Sequence, residues 1–298
     1  MTIILDGGMG RELKRSGAPF RQPEWSALAL IEAPERVADV HRAFAVAGAR
    51  VITTNSYAVV PFHIGAERFA AEGEALAARA GALARGVAET PEFAGLRVAG
   101  SLPPTCGSYR PDLFDAAVAS TTLAPLVRGL APHVDLWLAE TLSTTAEVAV
   151  AAEVLGDDPR PRWFSFTLRD ENVAPGDAPR LRSGEPVTAG VAAALAAGAS
   201  AVLFNCSQPE VMEAAVRAAR AEAEAQGSAL EVGVYANAFP PQQAEATANE
   251  TLLPLRADLD PPGYLGWARR WQAAGASIIG GCCGIGPEHI AALAADLA

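Results

Sequence analysis

Eight short apolar segments with β-favouring residues alternate with alanine-rich segments of helical spacing, and this alternation constrains the fold more than any other feature. The predicted strands are Ile3–Leu5, Val51–Thr54, Val98–Ser101, Leu136–Glu140, Trp163–Leu168, Ala201–Asn205, Val232–Tyr235 and Ile278–Gly281. The predicted helices include Pro34–Ala47, Ala66–Ala88, Leu113–Leu130, Thr145–Leu155, Thr188–Ala197, Glu210–Ala225, Tyr264–Ala274 and Pro287–Leu297. Eight strand–helix units in 298 residues predict a single α/β domain of the (β/α)8 TIM-barrel class.

An open, doubly wound parallel sheet is the alternative fold. Its glycine-rich nucleotide turn is missing, since Gly7-Gly8-Met9-Gly10 follows the first strand without the full spacing. No proline-rich or serine-rich linker divides the chain, so we expect one barrel domain over residues 1–298. We also expect the longer loops to follow the third and seventh strands.

The charge balance excludes some classes of partner. The formal net charge is −11, from 34 acidic and 23 basic residues, and no block of lysine or arginine stands out. Nucleic acid and anionic membrane surfaces are therefore excluded as partners. The first residues do not resemble a signal peptide, no uninterrupted apolar run reaches about 18 residues, and four cysteines make a poor disulfide framework. We expect a cytoplasmic protein.

Chemically versatile residues follow the predicted strands. In a (β/α)8 barrel the active site lies where the strands end and the following loops begin. The residues at those positions are Asp6-Gly7-Gly8, Thr53-Thr54-Asn55-Ser56-Tyr57, Ser101-Leu102-Pro103, Glu140-Thr141, Asn205-Cys206 and Gly281-Cys282-Cys283. This clustering predicts an active site at one end of the barrel.

Three of these residues are cysteines that could converge on one metal ion. Cys206 follows the sixth predicted strand, and Cys282 and Cys283 follow the eighth, beside glycines that let the backbone leave strand geometry. Soft thiolate ligands suit zinc, and three protein ligands leave a fourth tetrahedral position open. The residues alone leave two alternatives: three buried thiols of the core, or a disulfide between the adjacent cysteines.

A zinc ion with three thiolate ligands favours one type of chemistry. The thiolates donate charge and reduce the acidity of the ion, so activation of water for hydrolysis is disfavoured. Coordination instead deprotonates an incoming thiol, whose ordinary pKa near 8.5 keeps it mostly protonated at neutral pH. The predicted reaction is therefore alkyl transfer to a substrate thiol.

Taken together, the motifs resemble the homocysteine S-methyltransferase family, in order from Asp6 to His289. They are Asp6-Gly7-Gly8-Met9-Gly10, Trp25-Ser26-Ala27, His41 with Ala47-Gly48-Ala49, Thr53-Thr54-Asn55-Ser56-Tyr57, Glu140-Thr141, Asn205-Cys206 and Gly280-Gly281-Cys282-Cys283-Gly284. The resemblance implies a zinc-dependent barrel enzyme that transfers a methyl group to homocysteine and yields methionine.

The same resemblance implies a role for each matched position. Cys206, Cys282 and Cys283 match the zinc ligands, and Asp6 and Glu140 match acidic positions that hold the amino group of homocysteine. Charge pairing between carboxylate and ammonium supports this role, although an aspartate after a strand can equally cap a turn.

Three further substrate-binding residues are implied. Tyr57 matches a tyrosine near the metal, and Trp25 matches a tryptophan of the methyl-donor pocket, where an aromatic face suits an onium group. Asn205 stands next to a ligand and is expected to orient the thiolate or bind substrate. The alternative for both aromatic residues is ordinary packing. Cys106 lies outside the matched positions and is expected to be a loop thiol, and the four histidines show no metal-ligand spacing.

The chain departs from the family pattern in two loops. Residues 100–109 replace a Gly-Ser-x-Gly-Pro type segment, and Tyr235-Ala236-Asn237-Ala238 replaces Tyr-Pro-Asn. Both loops are expected to face the methyl donor, so the identity of the donor depends on them. We favour S-methylmethionine or S-adenosylmethionine. The alternatives are betaine, dimethylsulfoniopropionate, a corrinoid-bound methyl group supplied by a partner protein, or a non-catalytic barrel that binds zinc or thiols.

Overall fold

A computed structural model describes residues 1–174, 176–240 and 254–298. Its strands are β1 Ile3–Ile4, β2 Val51–Thr53, β3 Arg97–Leu102, β4 Leu136–Leu142, β5 Arg162–Phe166, β6 Ala199–Asn205, β7 Glu231–Tyr235 and β8 Ile278–Ile279. Its α-helices are α1 Met9–Arg15, α2 Ser26–Glu32, α3 Pro34–Val46, α4 Pro61–Ile64, α5 Ala66–Ala88, α6 Ala116–Leu130, α7 Thr145–Leu155, α8 Val187–Ala196, α9 Pro209–Ala225, α10 Pro261–Ala274 and α11 Pro287–Leu297. All eight predicted strands and all eight predicted helices are present. The helices Ala66–Ala88, Thr145–Leu155 and Pro287–Leu297 have the predicted bounds, and the other elements have shifted ends.

The strands form one parallel sheet that closes on itself. The order is β1-β8-β7-β6-β5-β4-β3-β2, and every adjacent pair in this order is parallel. A single parallel bridge between Leu5 and Val51 joins β1 to β2, and the amide of Asp6 donates to the carbonyl of Val51 at 3.0 Å. The predicted (β/α)8 barrel is confirmed, and the doubly wound alternative is wrong.

The apolar core has two layers because alternate strand residues point to opposite faces of the sheet. On β4, Leu136 and Leu138 belong to the cluster inside the barrel, whereas Trp137 and Ala139 belong to the cluster between sheet and helices. The inner cluster comprises Leu5, Val51, Ala99, Leu136, Leu138, Trp163, Ala201, Leu203, Tyr235 and Ile278. The barrel interior is therefore filled with side chains, and these form the floor of any cavity at the carboxyl ends of the strands.

Capping residues determine where two helices begin. Helix α6 begins at Ala116 rather than at the predicted Leu113, because the Asp115 side chain accepts the amides of Ala117 and Val118. Helix α10 begins at Pro261 for the same reason, with the Asp260 side chain accepting the amide of Gly263 at 2.9 Å.

The connections differ from prediction in two respects. Helices α1, α2 and α4, which lie in the connections after β1 and β2, are short and were not predicted. The connection after β5, residues 167–186, is longer than the connection after β3, residues 103–115, and was not predicted to be long. The predicted long connection after β7 lies partly outside the described residues. None of the helices described combines the length and apolarity needed to cross a membrane.

Candidate active site at the carboxyl ends of the strands

A cavity opens at the carboxyl ends of the strands. It encloses about 780 Å³ of empty space, including the part open to solvent. Its lining residues come from the carboxyl ends of seven of the eight strands or from the connections that follow them: Asp6, Gly7, Gly8, Met9, Gly10, Trp25, Ser26, Thr53, Thr54, Asn55, Tyr57, Tyr109, Glu140, Thr141, Cys206, Tyr235, Gly281, Cys282 and Cys283. Of the eight residues predicted to form the site, only Asn205 is missing from this lining.

The three predicted metal ligands lie together in this cavity. The sulfur atoms of Cys206, Cys282 and Cys283 lie within 4.8 Å of one another. Cys206 and Cys282 are joined as a disulfide and Cys283 is free, so the predicted alternative of a disulfide between adjacent cysteines is wrong. A metal ion would need both members of the pair reduced. With that reduction, three soft sulfur donors on one wall match the ligand set that zinc prefers.

Backbone geometry brings two adjacent cysteines to one point. Strand β8 ends at Ile279, so Cys282 and Cys283 do not follow the alternation of a strand. Gly281 packs so closely that an added Cβ would lie 2.2 Å from Ile285 Cγ2. On the facing strand, Cys206 has a φ of 49°, a left-handed conformation that turns its side chain out of β6.

The surroundings of Cys283 disfavour a free thiolate. Burial raises the pKa of the Cys283 thiol to about 11, and the nearby Arg11 guanidinium offsets only part of this shift. A metal-free Cys283 is therefore protonated at neutral pH. A bound cation would reverse this preference, because coordination deprotonates a thiol.

Asp6 is a buried carboxyl group at the end of β1. Its Oδ2 accepts the amide of Thr53 at 2.7 Å, and its Oδ1 accepts the Thr53 hydroxyl at 3.1 Å. Burial raises the pKa of Asp6 to about 7, with a smaller contribution from the Glu140 charge, although the Thr53 hydrogen bonds oppose the shift. The carboxyl group is thus held in place but lacks a cationic partner among the described residues.

Glu140 is the second buried carboxyl group of the cavity. Its Oε1 accepts the Ser101 hydroxyl at 2.5 Å, and its Oε2 accepts the Tyr235 hydroxyl at 3.2 Å. Burial raises the pKa of Glu140, and these two hydrogen bonds lower it in part. Asp6 and Glu140 are therefore two carboxyl groups, both buried, that an entering cation would stabilise in their ionised forms.

Asn205 is fully buried and does not reach the cavity. Its Oδ1 accepts the Thr141 amide at 3.1 Å and the Ser165 hydroxyl at 2.8 Å, and its Nδ2 donates to Thr141 Oγ1 at 2.9 Å. Thr141 directly follows Glu140, lines the cavity and has a φ of 63°. The structure thus places Asn205 behind the site, where it holds Thr141 in a left-handed conformation.

Aromatic side chains form much of the remaining wall. Trp25 packs so closely on Gly10 that an added Cβ would lie 2.7 Å from the indole nitrogen. The Tyr57 hydroxyl is hydrogen-bonded to Ser108 Oγ at 2.5 Å, and Tyr109 and Tyr235 complete the aromatic lining. Aromatic faces beside two carboxyl groups form a cavity that suits a cation.

Some of these contributors were not assigned an individual role from the sequence. Thr53, Ser101 and Tyr235 fix the two carboxyl groups, and all three stand at predicted strand ends, a signal that could have identified them. Tyr109 lies seven positions beyond β3, where no sequence periodicity indicates its direction. Cys106, in the same connection, is free and lies outside the three-cysteine cluster.

The fold and the site together define a barrel enzyme with a potential thiolate metal centre at the open end of the barrel. A profile of the homocysteine S-methyltransferase family matches residues 3–297, and the chain belongs to this family. It is 34% identical to the homocysteine S-methyltransferase of Escherichia coli, over 98% of this chain and 94% of that protein. It is 27% identical to a selenocysteine methyltransferase of Astragalus bisulcatus, over 97% of this chain and 90% of that protein.

A solved structure supports the same conclusion. The metallated form of the homocysteine methyltransferase MmuM from Escherichia coli superimposes with a TM-score of 0.77 at 31% identity, covering 99% of this chain and 96% of that chain. The predicted family and the predicted enzyme class, a homocysteine methyltransferase, are therefore confirmed.

Proposed function

We propose that the protein transfers a methyl group from S-methylmethionine to the thiol of homocysteine and yields methionine, with zinc as its metal. One observation carries the proposal: the sulfur atoms of three cysteines lie within 4.8 Å of one another, in a cavity that also contains two buried carboxyl groups. Cys206, Cys282 and Cys283 would hold the zinc ion in their reduced form. When bound there, zinc lowers the pKa of an incoming thiol and supplies it as a thiolate.

Asp6 and Glu140 are placed to bind the ammonium group of the acceptor. Each is buried and each has a raised pKa, so each gains from a cation that restores its ionised form. Thr53, Ser101 and Tyr235 hold these carboxyl groups at fixed positions. An α-amino thiol bound through its ammonium group would lie with its sulfur directed to the cysteine cluster, since all these groups line one cavity.

The aromatic wall is suited to the methyl donor. A sulfonium ion carries a positive charge that Trp25, Tyr57 and Tyr109 can stabilise through their π faces. The thiolate sulfur forms a bond to the methyl carbon as the bond from that carbon to the sulfonium sulfur breaks. The electron pair of the breaking bond stays on the sulfonium sulfur, which leaves as a neutral thioether. No protein base is required for this step.

The remaining alternatives concern the donor and the class of protein. S-adenosylmethionine, betaine, dimethylsulfoniopropionate and a corrinoid-bound methyl group would use the same acceptor thiol. A barrel that only stores zinc or thiols would have no need for Asp6 and Glu140 beside the cysteines, which favours an enzyme. The requirement for reduced cysteines fits a reducing compartment such as the cytoplasm.

The test measures methionine formation from homocysteine and S-methylmethionine by purified, reduced, zinc-loaded protein. The Cys282→Ser variant should lose bound zinc, from about one ion per chain, and should lose turnover with it. The matched control is Cys106→Ser, which removes a free thiol outside the cluster and should keep both. Full activity in metal-free protein would contradict the zinc proposal. Zinc binding without methionine formation would contradict S-methylmethionine as the donor, and the other donors would be assayed next.

A further inference from the structure

The active-site cavity has no cationic partner for a carboxylate. In the parts of the chain that the structure describes, its lining includes no lysine, arginine or histidine. Its two ionisable carboxyl groups, Asp6 and Glu140, are assigned to the ammonium group of homocysteine, so neither the α-carboxylate nor the α-ammonium group of S-methylmethionine has a charged partner left there. A donor of this class therefore needs a cation outside the cavity, within reach of the aromatic wall.

A second cleft adjoins the cavity and contains such a cation. It encloses about 1010 Å³ of empty space, including open solvent, between the connections that follow β3 and β5. Its lining residues are Tyr109, Pro111, Asp112, Arg169, Glu171, Asn172, Arg182 and Ser183. Tyr109 lines both the cavity and the cleft, so the two spaces share one aromatic wall.

The charged residues of the cleft differ in whether they are already paired. Arg182 Nη1 lies 3.1 Å from Asp170 Oδ1, and both side chains are almost fully buried. Asp112 Oδ2 lies 2.7 Å from Arg110 Nη2. Among the described residues, neither Arg169 nor Glu171 forms an ion pair, and both line the cleft. One guanidinium and one carboxylate thus remain to bind a ligand.

The wall between the two spaces is built rigidly. The Arg182 guanidinium, fixed by its buried ion pair, lies 5.6 Å from the centroid of the Tyr109 ring. Five non-glycine residues of the described chain have a positive φ: Trp25, Tyr109, Thr141 and Cys206 line the cavity, and Tyr109 and Asn172 line the cleft. Backbone strain of this type concentrates at functional sites, and here it is confined to these two spaces.

We propose that this cleft binds the α-amino acid end of the methyl donor, with Arg169 pairing with its carboxylate and Glu171 with its ammonium group. The proposal rests on the proposed function, because it identifies the donor as an onium amino acid. Arginine is suited to this role, since its planar guanidinium binds a carboxylate through two parallel hydrogen bonds. Betaine and dimethylsulfoniopropionate have no primary ammonium group besides the onium centre that donates the methyl group, so they have nothing to pair with Glu171 and the cleft discriminates against them.

The test compares Arg169→Gln with the matched control Arg180→Gln. Arg180 is an exposed arginine of the same connection that donates to the Gly184 carbonyl at 2.8 Å and does not line the cleft. The measurements are KM and kcat for both substrates, and the Kd of S-methylmethionine for the zinc-loaded protein. Each is repeated with the carboxamide of S-methylmethionine, which lacks the negative charge.

Arg169→Gln should raise the KM and Kd of S-methylmethionine by about tenfold, the value of one charge-assisted hydrogen bond. It should leave kcat and the KM of homocysteine within about twofold. The wild-type preference for the acid over the carboxamide should disappear in Arg169→Gln, persist in Arg180→Gln and be partly restored in Arg169→Lys.

Three results would overturn the proposal, and they are distinguishable. Rapid turnover of S-methylmethionine by the wild type with an unchanged KM in Arg169→Gln would overturn the role of the cleft and leave the proposed function intact. If the wild type neither binds S-methylmethionine nor transfers its methyl group to homocysteine, both the role of the cleft and the proposed function are overturned. An equal loss of affinity for the acid and the carboxamide would assign Arg169 a structural role and contradict the proposed ion pair.

Discussion

Replacing Asn205 by alanine should destabilise the protein more than most buried polar substitutions, because this side chain satisfies the backbone of a site loop. Its amide makes three hydrogen bonds, two to Thr141 and one to Ser165. One of these partners is the backbone N–H of Thr141, whose positive φ the surrounding structure must maintain. The Asn205→Ala variant would leave that buried N–H without an acceptor.

The expected magnitude follows from these contacts. Each of the three hydrogen bonds contributes about 1 kcal/mol net, and the unsatisfied Thr141 amide adds a desolvation penalty of about 1 to 2 kcal/mol. The free energy of unfolding should therefore fall by about 4 to 5 kcal/mol, a large part of the about 5–15 kcal/mol typical of a folded protein. Ser165→Ala, which removes one of the three bonds, should cost only about 1 kcal/mol.

The assay is urea unfolding of the reduced protein, followed by circular dichroism, for the wild type and both variants. Homocysteine KM is measured in parallel, because Thr141 follows Glu140 and both line the cavity. A loss below about 1 kcal/mol in Asn205→Ala, or a loss no larger than that of Ser165→Ala, would refute the reasoning.

Two further predictions concern the site. The pKa of Asp6 is raised to about 7 in the folded chain, so its contribution to stability is present at low pH and is lost as pH rises from about 4 to 7. Asp6→Asn, whose amide oxygen can still accept from Thr53, should flatten this part of the pH–stability profile and raise the KM of homocysteine; an unchanged profile would contradict the burial argument. In Gly8→Ala, the new Cβ would lie 2.5 Å from the Cys282 carbonyl oxygen, so zinc affinity should fall, whereas Gly86→Ala, with open space around it, should not change it. Competition with a zinc chelator measures the difference.

Local sequence signals predicted the elements but not all their ends. The start of α6 moved from Leu113 to Ala116 because the Asp115 side chain caps the helix there. The long connection after β5 was not singled out, although the predicted strand Trp163–Leu168 and the predicted helix Thr188–Ala197 leave 19 residues between them. A single domain over residues 1–298 and a cytoplasmic location stay predictions.

The candidate site was predictable to the extent that barrel topology fixes where strands end. Asp6, Glu140 and the three cysteines follow predicted strands, and the closed sheet brings their ends to one cavity. Asn205 shows the limit of this reasoning: it precedes Cys206 at a strand end, yet its side chain points away from the cavity, to Thr141 and Ser165. Adjacent residues on a strand point in opposite directions, and only the register of the barrel decides which one faces the substrate.

The sequence by itself determined the class of fold and the chemistry at the strand ends, because hydrophobic periodicity and residue type are local properties of the chain. The tertiary structure alone decided which polar groups share hydrogen bonds, that Cys206 and Cys282 are close enough to join, and that Arg169 and Glu171 share a cleft with Tyr109. These pairings join residues far apart in sequence, and loops without periodicity carry several of them. Their positions depend on long-range packing, which no local pattern encodes.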